Sequence, residues 1–232
     1  VLEARLDRAA PLLRHLARHP SLEDSGWAAL LDATTVQETS LFRAPEQLAA
    51  LEAALPPLVL AARAAGRPLA LLSAGCATGE EAFTLAAIAQ HAAQAHAPGA
   101  EVRVLGLDIC RTALEGAEAG EIGPHLGRPL AGVPAHYLPW FQGADGAPRL
   151  HPSLRACLGF RRASLTALPE DLGCFDVVLC RNVLIYMTES AKQAVLSGLA
   201  RYMRPGALLG LGPTDTAGAP FLPFAPGLYR HG

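Results

Sequence analysis

Between Leu69 and Leu211, short apolar runs bounded by turn residues alternate with longer stretches of helical periodicity. The strand candidates are Leu69–Ser73, Val102–Leu107, Phe175–Cys180 and Ala207–Leu211, with helices expected near 80–96, 111–119 and 188–203. Strands apolar on both faces must be covered on both faces, and a helix between two of them returns the chain so that they run parallel. The expected fold class is therefore α/β, a mostly parallel, doubly wound sheet. The tail FLPFAPGLYRHG carries turn signals between aromatics and is expected to fold back as an antiparallel C-terminal edge. Upstream, residues 1–33 have leucines at helical spacing, including Leu2, Leu6, Leu12, Leu13 and Leu16, and predict a small helical N-terminal domain. A further helix starts at Pro45, which suits a first turn, and the Pro56–Pro57 pair is expected to end or kink it.

At 232 residues and 51% hydrophobic, the chain can build one large α/β domain with a full core, or one such domain plus a small helical appendage. A formal net charge of −2 gives no case for a nucleic-acid partner. Five widely spaced cysteines without a Cys-x-x-Cys pair suggest neither a disulfide framework nor zinc, and no metal is expected. His15 and His19 have the spacing of metal ligands on a helix but lack a third ligand nearby. The cysteine usage fits a reducing cytoplasm, no apolar run reaches the ~18 residues of a membrane helix so no membrane insertion is expected, and the chain is expected to act as a monomer. Because the chain opens on Val1, an upstream segment is expected to be missing. Arg5, Arg8, Arg14, Arg18, His15 and His19 give the first segment a basic side, read either as a solvated face or as a docking surface for an acidic helical partner.

In an open parallel sheet, ligands lie beyond the carboxyl ends of the strands. Candidate features fall on such ends. Gly75 and Gly79, in SAGCATGEEA, allow a tight turn and a close backbone approach to a ligand. Asp108 ends the second strand, where an acidic residue can accept from both hydroxyls of a ribose. Ser164 and Leu165 precede another loop, and Arg181, Asn182 and Val183 end FDVVLC. The glycine spacing is not Gly-x-Gly-x-x-Gly, and Asp108 lies 33 residues beyond Gly75 instead of about 20, which disfavours a nicotinamide cofactor. Glu80 and Glu81 would repel a pyrophosphate. One of them is accounted for as a first-turn charge on the helix dipole, and the other suits a ligand's ammonium or sulfonium.

Taken together, TTVQETSLFR at 34–43, SAGCATGEEAFTLA at 73–86, LDI at 107–109 and CRNVLIYM at 180–187 resemble the chemotaxis receptor methyltransferases, the CheR family. The similarity runs from about residue 22 to the end. It implies a Rossmann-like class I fold that binds S-adenosylmethionine and releases S-adenosylhomocysteine, over residues 34–232, with a small β-subdomain inserted at about 136–163 and a truncated helical domain before it. The activity implied is methylation of glutamate side chains on the acidic helical bundle of methyl-accepting chemoreceptors. By resemblance, Thr39 and Arg43 belong to the segment that closes over the cofactor, with Arg43 its functional arginine. Glu81 matches the glutamate near the cofactor's methionine part and Asp108 the ribose-binding aspartate. Arg181, Asn182 and Val183 match the loop beside the adenosine and methionine moieties, and Tyr186 the tyrosine facing the methyl group.

The sequence departs from the family's pattern in four places, and the resemblance makes the first two cofactor contacts. Gln37 stands for an asparagine, Ser164-Leu165 for Asn-Leu, Leu41 for the first phenylalanine of FFR, and Thr214-Asp215 for Ser-Glu. The segment YLPWFQGADGAPRLH is a few residues short of versions that bind a receptor's C-terminal tether peptide, so a tether-independent enzyme is expected. Two other readings stay open: a catalytically weak module that binds the cofactor and serves in sensing or docking, and a methyltransferase of this fold with an unrelated acceptor.

Overall fold

The computed structural model describes residues 11–18, 21–123 and 127–232. The expectations for Leu2, Arg5, Leu6, Arg8 and His19 lie outside these residues. Helix α1 (11–18 among the described residues) is joined to α2 (Ser25–Thr34) by the Trp27 indole, whose Nε1 donates to the Leu16 carbonyl at 3.0 Å. Asp24 caps α2 by accepting from the backbone N–H groups of Gly26 and Trp27, which satisfies donors that a helix start leaves free.

The remainder alternates as the apolar pattern requires: α3 (Pro45–Ala64), β1 (Leu69–Ala74), α4 (Glu80–His96), β2 (Val102–Asp108), α5 (Arg111–Ala119), the short α6 (Pro152–Arg155), β3 (Leu158–Arg162), β4 (Phe175–Cys180), α7 (Glu189–Ala200), β5 (Met203–Leu211), β6 (Phe221–Ala225) and β7 (Leu228–His231). They form a seven-stranded sheet in the order β3-β2-β1-β4-β5-β7-β6. The first five run parallel, while β7 is antiparallel to both β5 and β6. Successive residues of one strand serve opposite cores. Leu71 and Val177 pack with Leu51, Leu55 and Phe83 of α3 and α4, whereas Leu72 and Val178 pack with Val195 and Leu199 of α7. Each fully buried leucine contributes roughly 1.5–3 kcal/mol. Chain order reverses between β1 and β4, and a reversal of this kind opens a crevice at the carboxyl ends of the strands.

Several elements differ from expectation. Helix α3 runs through Pro56–Pro57 to Ala64, because Leu51, Leu55, Val59 and Ala62 form a continuous buried stripe whose packing offsets the two lost N–H donors. Strand β5 begins at Met203, four residues early; a register shift opposite Phe175–Val177 absorbs Pro205 and Gly206. Residues 158–162 of the expected insertion form β3, an edge strand of the main sheet paired with β2. Upstream of it lie a 3₁₀ segment at Ala135–Trp140, the isolated bridge Gln142–Pro148 and α6, with no separate β-layer among the described residues.

Candidate functional site

At the crevice, five segments surround a cleft of about 350 Å³. The segment between α2 and α3 brings Gln37, Thr39 and Arg43, and the β1–α4 turn brings Gly75 and Glu81. Asp108 comes from the end of β2, Ser164 and Leu165 from beyond β3, and Arg181, Asn182, Val183 and Tyr186 from beyond β4. Gly79 alone of the candidates does not line it. Gly79 serves packing instead: its φ is +99°, and a Cβ there would stand 2.8 Å from Phe83 Cζ and 2.9 Å from Ala117 Cβ.

Gly75 lets the turn pass close beneath the β4 loop. Its φ is +83°, and a Cβ would overlap the Val183 side chain. Gly75→Ala is expected to cost on the order of 2–3 kcal/mol through the clash and the left-handed backbone together. Thermal melting measures the loss, and an unchanged midpoint would show that the turn has room to relax. Across the cleft, Asn182 also holds a left-handed φ of 59°, a region asparagine tolerates better than most residues.

Asp108 is 8% exposed and accepts from Ala77 N–H at 2.8 Å through Oδ2 and from Cys110 N–H at 2.9 Å through Oδ1. Burial pushes its carboxyl above the ordinary aspartate range, and the backbone donors pull it back only in part. Each oxygen keeps a further lone pair for a ligand hydroxyl. Glu81 is less free than its sequence position suggests. Its Oε1 accepts from Ser73 Oγ at 2.8 Å and its Oε2 from Arg181 Nε at 2.7 Å, so its charge is paired within the protein. Glu80 is buried away from the cleft, accepting from Thr78 Oγ1 and from Gly123 N–H. Gln37 Nε2 donates to Thr35 Oγ1 at 2.9 Å, while its Oε1 is buried without a hydrogen-bond partner.

Toward the open side, Arg43 Nη1 donates to the Glu38 carbonyl at 3.0 Å, and its side chain is 36% exposed. Tyr186, 65% exposed, also lines the cleft. The wall also includes Val36, Ile109 and Met187. These residues lay inside the quoted motifs but carried no polar signal to single them out. Gln47 was not legible at all: it does not line the cleft, yet its Oε1 accepts from Arg181 Nη1 at 3.2 Å.

These acceptors and apolar walls suit S-adenosylmethionine. Asp108 and the orphaned Gln37 Oε1 are acceptors for hydroxyls and an ammonium, and Ile109, Leu165 and Val183 are apolar neighbours for a flat base. Among the described residues no cluster of histidine, cysteine, aspartate or glutamate is arranged to hold a metal, and no helix is long and apolar enough to cross a membrane.

A family model described as "CheR methyltransferase, SAM binding domain" matches residues 37–219. A probable biofilm formation methyltransferase WspC from Pseudomonas putida is 37% identical over 190 residues, covering 81% of this chain and 43% of the relative. A chemotaxis protein methyltransferase from Vibrio anguillarum is 32% identical, covering 81% of this chain and 68% of the relative. Chemotaxis protein methyltransferase 1 of Pseudomonas aeruginosa is 30% identical, covering 80% and 68%. The chain thus spans less than half of the first relative and about two thirds of the other two. With the sheet order and the matched span in hand, the chain belongs to the CheR family of methyltransferases, with a class I fold and S-adenosylmethionine as its cofactor.

Proposed function

We propose that this chain is a protein-glutamate O-methyltransferase acting on the cytoplasmic signalling domains of methyl-accepting chemoreceptors, and that the cleft residues hold its cofactor. The observation that carries this reading is the convergence of buried acceptors, Asp108 and Gln37 Oε1, with Arg43 and Tyr186 at the cleft's open rim. The names of the chemotaxis relatives support the substrate class. On the same reading the enzyme is a cytoplasmic monomer that needs no receptor tether peptide, and residues 1–33 belong to a helical domain preceding the catalytic one.

When bound, S-adenosylmethionine supplies an electrophilic methyl group on a positively charged sulfur. A glutamate acceptor has an unperturbed pKa of about 4.3 and is ionised at neutral pH, so no general base is needed. The protein's task is alignment, which can account for much of a barrier reduction. Asp108 accepts from the ribose hydroxyls and Gln37 from the ammonium. Leu165 and Val183 exclude water from the base. Arg43 leads the incoming carboxylate toward the methyl path, and the Tyr186 ring bounds that path. Arg43 must hold the acceptor loosely, because the transition state loses the negative charge that a tight pair would stabilise.

Arg43→Ala is expected to lower turnover on a receptor domain by about 10- to 100-fold, with stability unchanged within ~0.5 kcal/mol because the side chain is partly exposed. Steady-state methylation kinetics check this, and full turnover would remove Arg43 from the acceptor path. The substrate class itself is tested by labelled-methyl transfer to a receptor signalling domain, since only an ester releases the label under mild base.

A further inference from the structure

We infer that Gln47, outside the cleft, is the positioning residue that holds the 35–44 segment over the site and couples it to the C-terminal hairpin. The inference rests on the proposed role of that segment in closing over the cofactor. Three bonds meet at the Gln47 amide. Oε1 accepts from Arg181 Nη1 at 3.2 Å, and Nε2 donates to the carbonyls of Leu211 at 2.9 Å and Gly227 at 2.8 Å. The same Arg181 Nη1 donates to the Arg43 carbonyl at 2.7 Å, and Arg181 Nε pairs with Glu81. A continuous hydrogen-bonded path therefore runs from the β7 turn and the end of β5, through Gln47 and Arg181, to the backbone of Arg43 and to α4.

The backbone at this junction requires such support. Phe42 and Ala44 both hold left-handed φ angles, 53° and 59°, which non-glycine residues keep only where surrounding contacts over-determine them. Thr84 Oγ1 accepts from Phe42 N–H at 3.1 Å on one side, and Arg181 grips the Arg43 carbonyl on the other. Opposite Gln47, Gly227 has φ +68°, and a Cβ there would stand 2.5 Å from Gln47 Nε2. The glycine is what admits the amide.

Two variants probe the path from opposite ends. Gln47→Met keeps the side chain's length and removes all three bonds; Gly227→Ala leaves Gln47 in place but crowds its amide. Hydrogen exchange of the unliganded protein is expected to rise by about tenfold or more across 35–44 in both variants, while the β1 and β2 amides stay protected. S-adenosylhomocysteine affinity, measured by calorimetry, is expected to fall about tenfold in both. In a Gln47→Ala background, Gly227→Ala should do less than it does alone, because the amide it crowds is gone. Unchanged exchange across 35–44 in Gln47→Met, in a folded protein, would overturn the inference. Faster exchange there with unchanged affinity would uphold Gln47 as the support of the segment and count instead against the segment's proposed contact with the cofactor.

Discussion

Arg181→Met is expected to destabilise the protein by about 3–5 kcal/mol, because it strips the partner from a buried carboxylate. The Arg181 and Glu81 side chains are 4% and 10% exposed, so solvent screens the pair little and the stranded Glu81 charge keeps only a small cleft-facing surface for hydration. The substitution also releases the Arg43 carbonyl and the Gln47 amide. Glu81→Gln alone should cost less, since the amide oxygen still accepts from Arg181 Nε or Ser73 Oγ. The double variant Arg181→Met with Glu81→Gln should recover part of the Arg181→Met loss, as no buried charge is left unpaired. Urea denaturation of the four proteins measures the cycle. Additive losses would mean that the two side chains contribute independently and that the short contact is not an energetic pair.

Asp108→Asn is expected to weaken S-adenosylhomocysteine binding by roughly 100-fold, about 2.7 kcal/mol. A ribose hydroxyl then meets a neutral amide, and the amide's NH₂ is turned toward one of the two backbone donors that the carboxylate served, Ala77 N–H or Cys110 N–H. The pH dependence follows from the raised pKa. The ionised form is the competent acceptor, so affinity should begin to fall, as pH is lowered, at a higher pH than an ordinary aspartate would set. The stability effect has the opposite sign. A carboxyl whose folded pKa is raised costs stability above that pKa, and the cost disappears as pH falls through it toward the unfolded value. Affinity and this contribution to stability should therefore move in opposite directions over the same window. Calorimetry at several pH values and thermal melts test the pair of trends, and affinity that is flat through the acid range would detach Asp108 from the ligand.

The sheet was legible where both faces of a strand are apolar. LALLSA and FDVVLC are buried along almost their whole length, and such runs have few alternatives. Strand β3 was not legible, because LGFRR is an edge strand with alternating exposure and two arginines and lacks the continuous apolar run of the inner strands, so it falls within the small β-subdomain that the resemblance implies. Helix α3 hid behind Pro56–Pro57, since local propensity was overridden by a buried stripe visible only once the sheet is built. The motif residues came together in space because strand ends in a parallel sheet converge. What the sequence could not convey is which charges are free. Glu81 reads as a ligand carboxylate, yet Arg181, one hundred positions away, already engages it. Gln47 sits on an ordinary helical turn, and its partners Leu211 and Gly227 are 164 and 180 residues distant. Long-range partners of this kind are fixed by the closing of the sheet, and a single sequence carries no local mark of them.

The most direct test of the proposed activity is transfer of labelled methyl from S-adenosylmethionine to a purified chemoreceptor signalling domain. The expected result is label on the receptor that mild base releases as methanol, and that disappears when the modified glutamates are replaced by alanine. Failure to label any receptor domain by protein shown to bind S-adenosylhomocysteine, or label that resists base, would contradict glutamate O-methylation while leaving the cofactor site intact.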